Sequence, residues 1–167
     1  MILTIFRHGE AGEAATDRAR ELTEKGAQDV ERGATVFLEA CRRRVLQLPQ
    51  RVYHSPWVRT TSTAELICRA LGHVPHTGLS AIQPGGDVTS VQRWFEENLG
   101  EMRGDTHIVM VSHQPLVSHM VNYYLGEGNS EPSLNPGAFA TLSMGVPGSA
   151  CGSLQFWAMP PKYEVNR

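Results

Sequence analysis

Two arginines and two histidines fall at or just after the ends of three short runs that read as strands. Residues 2–6 lead into Arg7-His8-Gly9, and residues 51–54 lead into Ser55-Pro56, with Arg59 one turn further on. Residues 107–111 lead into Ser112-His113. The run at 2–6 is short and carries β-branched residues, as expected of a strand buried on both faces, and 51–54 and 107–111 read as the second and third strands. In a parallel sheet the carboxyl ends of the strands share one edge, where open α/β folds place their ligands. Arg7, His8, Arg59 and His113 are therefore expected to converge from distant parts of the chain. A cluster of cations is costly unless an anion fills it. Phosphoryl groups suit it, because Arg presents paired donors that match their oxygens and helix N-termini add oriented N–H groups. A neutral imidazole can attack phosphorus and carry the group covalently, provided its other ring nitrogen has an acceptor such as a backbone carbonyl. His8 is the candidate nucleophile, and Arg7, Arg59 and His113 are the candidate phosphate-binding and charge-stabilising residues. No GxxxxGK[ST] loop and no GxGxxG after the first strand occur, which disfavours a nucleotide-binding reading.

The elements that must position these residues follow from spacing. A helix is expected with Thr23 as its N-cap, running through Ala27, Val30, Ala34, Phe37, Leu38, Cys41, Val45 and Leu48 to a stop at Pro49. Ser55 reads as the cap and Pro56 as the first residue of a second helix, which Gly72 stops. Residues 74–86 read as loop, residues 88–99 as a helix, and 100–105 as a turn. A helix follows Gln114-Pro115, then a turn-rich loop over 126–137. Residues 138–144 and 154–159 read as two strands in a hairpin or side by side. The alternation predicts one domain over 1–167, a three-layer α/β/α sandwich on a mainly parallel mixed sheet, with an antiparallel element from the last pair.

Composition narrows the function. The chain has 167 residues, 15 basic and 17 acidic, for a formal charge of −2. That balance argues against a general nucleic-acid or membrane-surface binder. No apolar run approaches the length of a membrane span, and the first residues do not form a secretory leader, so a cytoplasmic location is expected. Cys41, Cys68 and Cys151 lack CxxC spacing and read as buried free thiols in a reducing compartment. No zinc pattern appears, and no coiled-coil pattern suggests anything but a monomer.

The residues 5–11, Ile-Phe-Arg7-His8-Gly9-Glu10-Ala11, resemble the RHG signature of the histidine phosphatase superfamily, which includes the phosphoglycerate mutases. More narrowly, the chain is similar to SixA-type phosphohistidine phosphatases. The match extends to Asp17, to residues 20–26 (RELTEKG), to 54–60 (HSPWVRT), to 85–88 (GGDV) and to 111–117 (VSHQPLV). The resemblance implies a phosphoglycerate mutase-like fold, no cofactor and no required metal. It carries the nucleophile to His8 and phosphate binding to Arg7, Arg59 and His113. In larger relatives an acidic residue on a long insertion protonates the leaving oxygen. The interval from Arg59 to His113 is too short for such a lid. Glu10 and Asp87 are the remaining candidate proton donors, and neither matches the donor motif. A leaving imidazole needs less help from an acid than a leaving alkoxide does. The expected substrate is thus phosphohistidine on another protein, a histidine phosphotransfer domain of a sensor kinase in a signalling relay. A broader small-molecule phosphomonoesterase or mutase is the alternative enzyme. A non-catalytic phosphoprotein-binding module is the alternative outside enzymes. Asp17 and Arg20 are expected to pair and hold their loop. His54 is assigned a structural role. Trp57 is expected at the pocket rim or over the core, and His73, His76, His107 and His119 are expected to be ordinary.

Overall fold

The computed structural model describes residues 1–98, 100, 106–126 and 134–166. Strands β1 (Ile2–Arg7), β2 (Arg51–His54), β3 (His76–Gly78), β4 (His107–Ser112), β5 (Phe139–Met144) and β6 (Gly152–Ala158) form one sheet in the order β3-β2-β4-β1-β5-β6. The first four run parallel, and β5 is antiparallel to both β1 and β6. Helices α1 (Glu24–Arg43), α2 (Val58–Ala70), α3 (Val88–Asn98) and α4 (Leu116–Leu125) cover the two faces.

Side-chain alternation along β1 divides the core. Leu3 and Ile5 point to the face covered by Val91 and Phe95 of α3 and Leu116, Val117 and Met120 of α4. Phe6 points to the other face, against Val30, Ala34, Phe37 and Cys41 of α1 and Ala64 and Ile67 of α2. This is the expected three-layer α/β/α sandwich. Between the layers, buried polar groups are paired. The Thr4 hydroxyl lies 2.9 Å from His107 Nε2 and 2.9 Å from the Thr141 hydroxyl. His107 Nδ1 donates to the Gln47 carbonyl. His107, expected to be ordinary, thus stitches β1, β4 and β5 together, and burial lowers its pKa to about 4.

Several elements depart from the sequence expectation. Helix α1 ends at Arg43, because Val45 takes a positive φ of 54° and turns the chain. Val45 N–H donates to the Arg42 carbonyl and Leu46 N–H to the Cys41 carbonyl, which closes a Schellman motif. Leu46 packs on the α1–α2 core, while Val45 is left 89% exposed. Helix α2 ends in the same way, with Gly72 in the left-handed position. Strand β3 lies inside the stretch expected as loop; its three residues are all exposed, so no apolar pattern announces it. Helix α2 begins at Val58 with Trp57 before it, so Ser55 is not its cap and Pro56 not its first residue. Thr23 caps α1 as expected, its hydroxyl accepting from Gly26 N–H. Cys41 and Cys68 are buried, with thiols pushed up to about 12 and about 11, but Cys151 is exposed. Leu99, the turn at 101–105 and the loop at 127–133 lie outside the described residues.

Candidate active site

Strands β2, β4 and β1 are consecutive neighbours, so their carboxyl ends meet. His54 is level with Val111, and Arg7 with Ser112. The residues that follow are tied across the same edge: His8 N–H donates to the Ser112 carbonyl and Ser55 N–H to the Val111 carbonyl. Gly137 N–H donates to the carbonyls of Arg7 and His8. Arg7, His8, Arg59 and His113 do converge here. They line a cleft of about 340 Å³ with Glu10, Ala11, Asp17, Arg20, Pro84, Gln114 and Pro136.

Gly9 and Gly26 let the chain turn tightly behind His8. A Cβ on Gly9 would lie 2.8 Å from the Gly26 carbonyl oxygen, and a Cβ on Gly26 would lie 2.1 Å from that of Glu10. The loop after β1 therefore sits directly on the first turn of α1. Gly9 N–H donates to the Thr63 hydroxyl of α2, which donates in turn to the Arg59 carbonyl.

The state of His8 follows from its partners. Nδ1 lies 2.7 Å from the Gly9 carbonyl, which only accepts, so Nδ1 carries the proton. Nε2 then holds the lone pair, and it accepts from Arg59 Nε–H at 3.2 Å. Burial lowers the His8 pKa to about 4; the Gly9 bond opposes this, and Arg59, Arg7 and Arg20 reinforce it. His113 lies beside it, the ring centroids 5.0 Å apart. Its Nε2 is 2.8 Å from the Ser55 hydroxyl, while Nδ1 is buried with no hydrogen-bond partner. Burial, then the neighbouring His8 and Arg59, lowers its pKa to about 3. Both rings are neutral at pH 7.

Among the arginines, Arg59 is buried, donates from Nη1 to the Asp17 carbonyl and from Nη2 to the Asp17 carboxylate, and lies over the Trp57 ring at 4.9 Å. Arg7 donates from Nη1 to the Leu134 carbonyl, and its Nε is buried without a partner. Two buried nitrogens of cleft-lining residues, Arg7 Nε and His113 Nδ1, thus lack partners; the first is a donor, and the second is one when Nε2 accepts from Ser55. Polar atoms in that condition mark a place for an acceptor. Arg20 spends its guanidinium on the carbonyls of Gly12 and Ala11 and on Asp17, which pins the 11–20 loop beside the cleft.

The two candidate proton donors separate. Glu10 lines the cleft, its carboxylate accepting from the Thr23 hydroxyl. Asp87 is not brought to the lining; it caps α3, accepting from Ser90 N–H, which lowers its pKa. His54 donates to the Ser55 carbonyl and pairs through Nε2 with His76, which supports Ser55 from behind. The sequence reading missed the bond from Ser55 to His113, the reach of Asp17 to Arg59, and Trp57 as a lid on that arginine. Asp17, Ser55 and Trp57 all lie in the segments that carry the family resemblance, which was the available signal. Among the described residues, no group of three or more His, Cys, Asp or Glu side chains could hold a metal ion. No helix among them is long and apolar enough to cross a membrane.

No family model and no curated protein matches this chain. Solved structures do. The protein histidine phosphatase SixA, complexed with tungstate, is 27% identical, covers 96% of this chain and 97% of its own, and has a TM-score of 0.78. A SixA phosphohistidine phosphatase assigned in Agrobacterium tumefaciens is 19% identical over 95% of this chain and 97% of its own, with a TM-score of 0.76. A mycobacterial glucosyl-3-phosphoglycerate phosphatase shares the fold at 15% identity, 95% and 99% coverage and a TM-score of 0.69. Fold and neighbours define a histidine phosphatase-type phosphatase, a hydrolase. Within that class the chain is SixA-like, similar to those proteins over nearly its whole length.

Proposed function

We propose that this chain is a protein phosphohistidine phosphatase that works through a phosphoryl group carried on His8. One observation supports this most: the Nε2 lone pair faces Arg59 while Nδ1 is held by the Gly9 carbonyl. A neutral imidazole fixed in that tautomer, among arginines, is a nucleophile for phosphorus. In the first step, Nε2 bonds to phosphorus as the substrate N–P bond breaks, and the departing imidazole takes up a proton. In the second, water bonds to phosphorus, the Nε2–P bond breaks, and inorganic phosphate leaves. Arg59 gives its Nε–H to a phosphoryl oxygen as Nε2 is freed. Arg7 Nε is a further buried donor for the same group. With the Ser55 hydroxyl donating to Nε2 of His113, Nδ1–H of that ring is another.

The substrate class rests on the carboxylates. Among the described residues, Glu10 and Asp17 are the carboxylates that line the cleft, and Asp17 is committed to Arg59 and Arg20. A site poor in proton donors suits a leaving imidazole better than an alkoxide. The favoured partner is a phosphorylated protein, a histidine phosphotransfer domain of a signalling relay, met by a monomer in the cytoplasm.

The test compares turnover on a phosphohistidine protein with turnover on phosphoserine and sugar phosphates, all with a metal chelator present. Faster phosphohistidine hydrolysis, retained with chelator, is expected. Equal or higher rates on the esters would replace this reading with a general phosphomonoesterase. His8→Ala should fold yet take up no covalent label from phosphorylated substrate; full labelling would remove His8 from its role. Tight binding of the phosphoprotein without phosphate release from any substrate would identify a binding module instead.

A further inference from the structure

Asp17 is an odd residue to find in a site for an anion. Its carboxylate lies 3.2 Å from Arg59 Nη2 on one oxygen and 3.0 Å from Arg20 Nη1 on the other. Its backbone carbonyl separately takes the Arg59 Nη1–H at 2.6 Å. The Arg59 side chain is 5% exposed and that of Asp17 55% exposed. Arg59 is therefore placed twice by the same residue, once by a neutral carbonyl and once by a charge. Its Nε is directed to His8 as well. The carbonyl already holds the guanidinium at Nη1, and the carboxylate adds a charge to that placement. It sets a fixed anion against the arginine that would hold a phosphoryl dianion.

We propose that Asp17 is the residue that keeps the site from holding phosphate too tightly: its carboxylate competes with product phosphate for Arg59 and so speeds release. This rests on the phosphoryl-transfer reading above. An enzyme gains nothing from binding product as well as it binds the transition state, and release limits many turnovers. Among the described residues of the lining, three arginines stand against Glu10 and Asp17, and removing the Asp17 charge raises their sum by one. The carboxylate stays ionised at pH 7, its pKa lowered first by the hydrogen bond from Arg20.

The proposal separates charge from placement, and Asp17→Asn separates them too. The variant keeps the backbone carbonyl on Arg59 and an amide oxygen near Nη2, and loses only the charge. Binding of inorganic phosphate to the purified protein is measured by calorimetry, at low salt and at roughly 1 M salt. Asp17→Asn should bind phosphate about two- to fivefold more tightly at low salt, the size of a partly exposed charge pair. The gain should shrink at high salt. In turnover, kcat should fall while KM also falls. Unchanged or weaker phosphate binding in the variant would overturn the release role and leave Asp17 as a strut for its loop. Failure of both wild type and Asp17→Asn to bind phosphate would overturn the phosphoryl reading itself, and this inference with it.

Discussion

Replacing His107 with Gln should flatten the pH dependence of stability, because His107 is a base held neutral between two strands. Its ring is fully buried, Nδ1 donates to Gln47, Nε2 meets the Thr4 hydroxyl, and burial lowers its pKa from an ordinary 6.5 to about 4. Between those values the unfolded chain binds a proton that the folded chain refuses. Stability is therefore present above pH 6.5 and is lost as pH falls towards 4. From pH 7 to pH 5, the two values place this loss at about 2 kcal/mol for His107 alone. His8 and His113 add to it in the same direction, since their values are lowered as well. Urea unfolding of wild type and His107→Gln at pH 7 and pH 5 isolates the term. The variant should lose about 2 kcal/mol less than wild type over that interval, whatever its offset at pH 7. Equal losses in the two proteins would mean that His107 titrates normally, and that burial beside Thr4 does not hold the ring neutral.

Two other outcomes follow from the geometry. Val45→Gly should raise stability by about 1 kcal/mol, because it removes a β-branched residue from the left-handed region at almost no cost in burial; a urea melt showing no gain would refute the strain. Ser55→Ala should cut kcat/KM about tenfold and cost about 1–3 kcal/mol of stability, since buried His113 Nε2 loses the hydroxyl it pairs with, and an unaltered kcat/KM would remove Ser55 from that task.

The parts of the molecule legible from the chain were those governed by local pattern. The runs before Arg7 and Ser112 are mostly apolar on both faces, and Val52-Tyr53 before His54-Ser55 marks a third short strand, so the strands and their shared edge could be inferred. Strand β3 could not, because His76, Thr77 and Gly78 sit exposed at a sheet edge and follow no apolar pattern. The end of α1 was also hidden. Val45 and Leu48 continue the helical spacing, and only the carbonyl contacts of Val45 and Leu46 show that the chain has already turned. At the site, residue types sufficed to gather Arg7, His8, Arg59 and His113. The assignments that depend on side-chain reach did not emerge. Asp17 meets an arginine 42 positions away, Ser55 meets a histidine 58 positions away, and Asp87 is spent on a helix cap.

The hydrogen bond from Arg59 Nε to His8 Nε2 has a bearing on side reactions. An imidazole whose lone pair is already accepting from a guanidinium is a poor target for neutral electrophiles such as acylating or alkylating agents, which offer the arginine nothing in exchange. An anion does offer something, because it can take the Nε–H as the ring nitrogen gives it up. The same bond that orients the ring thus works as a chemical filter, blunting His8 towards uncharged reagents more than towards an oxyanion.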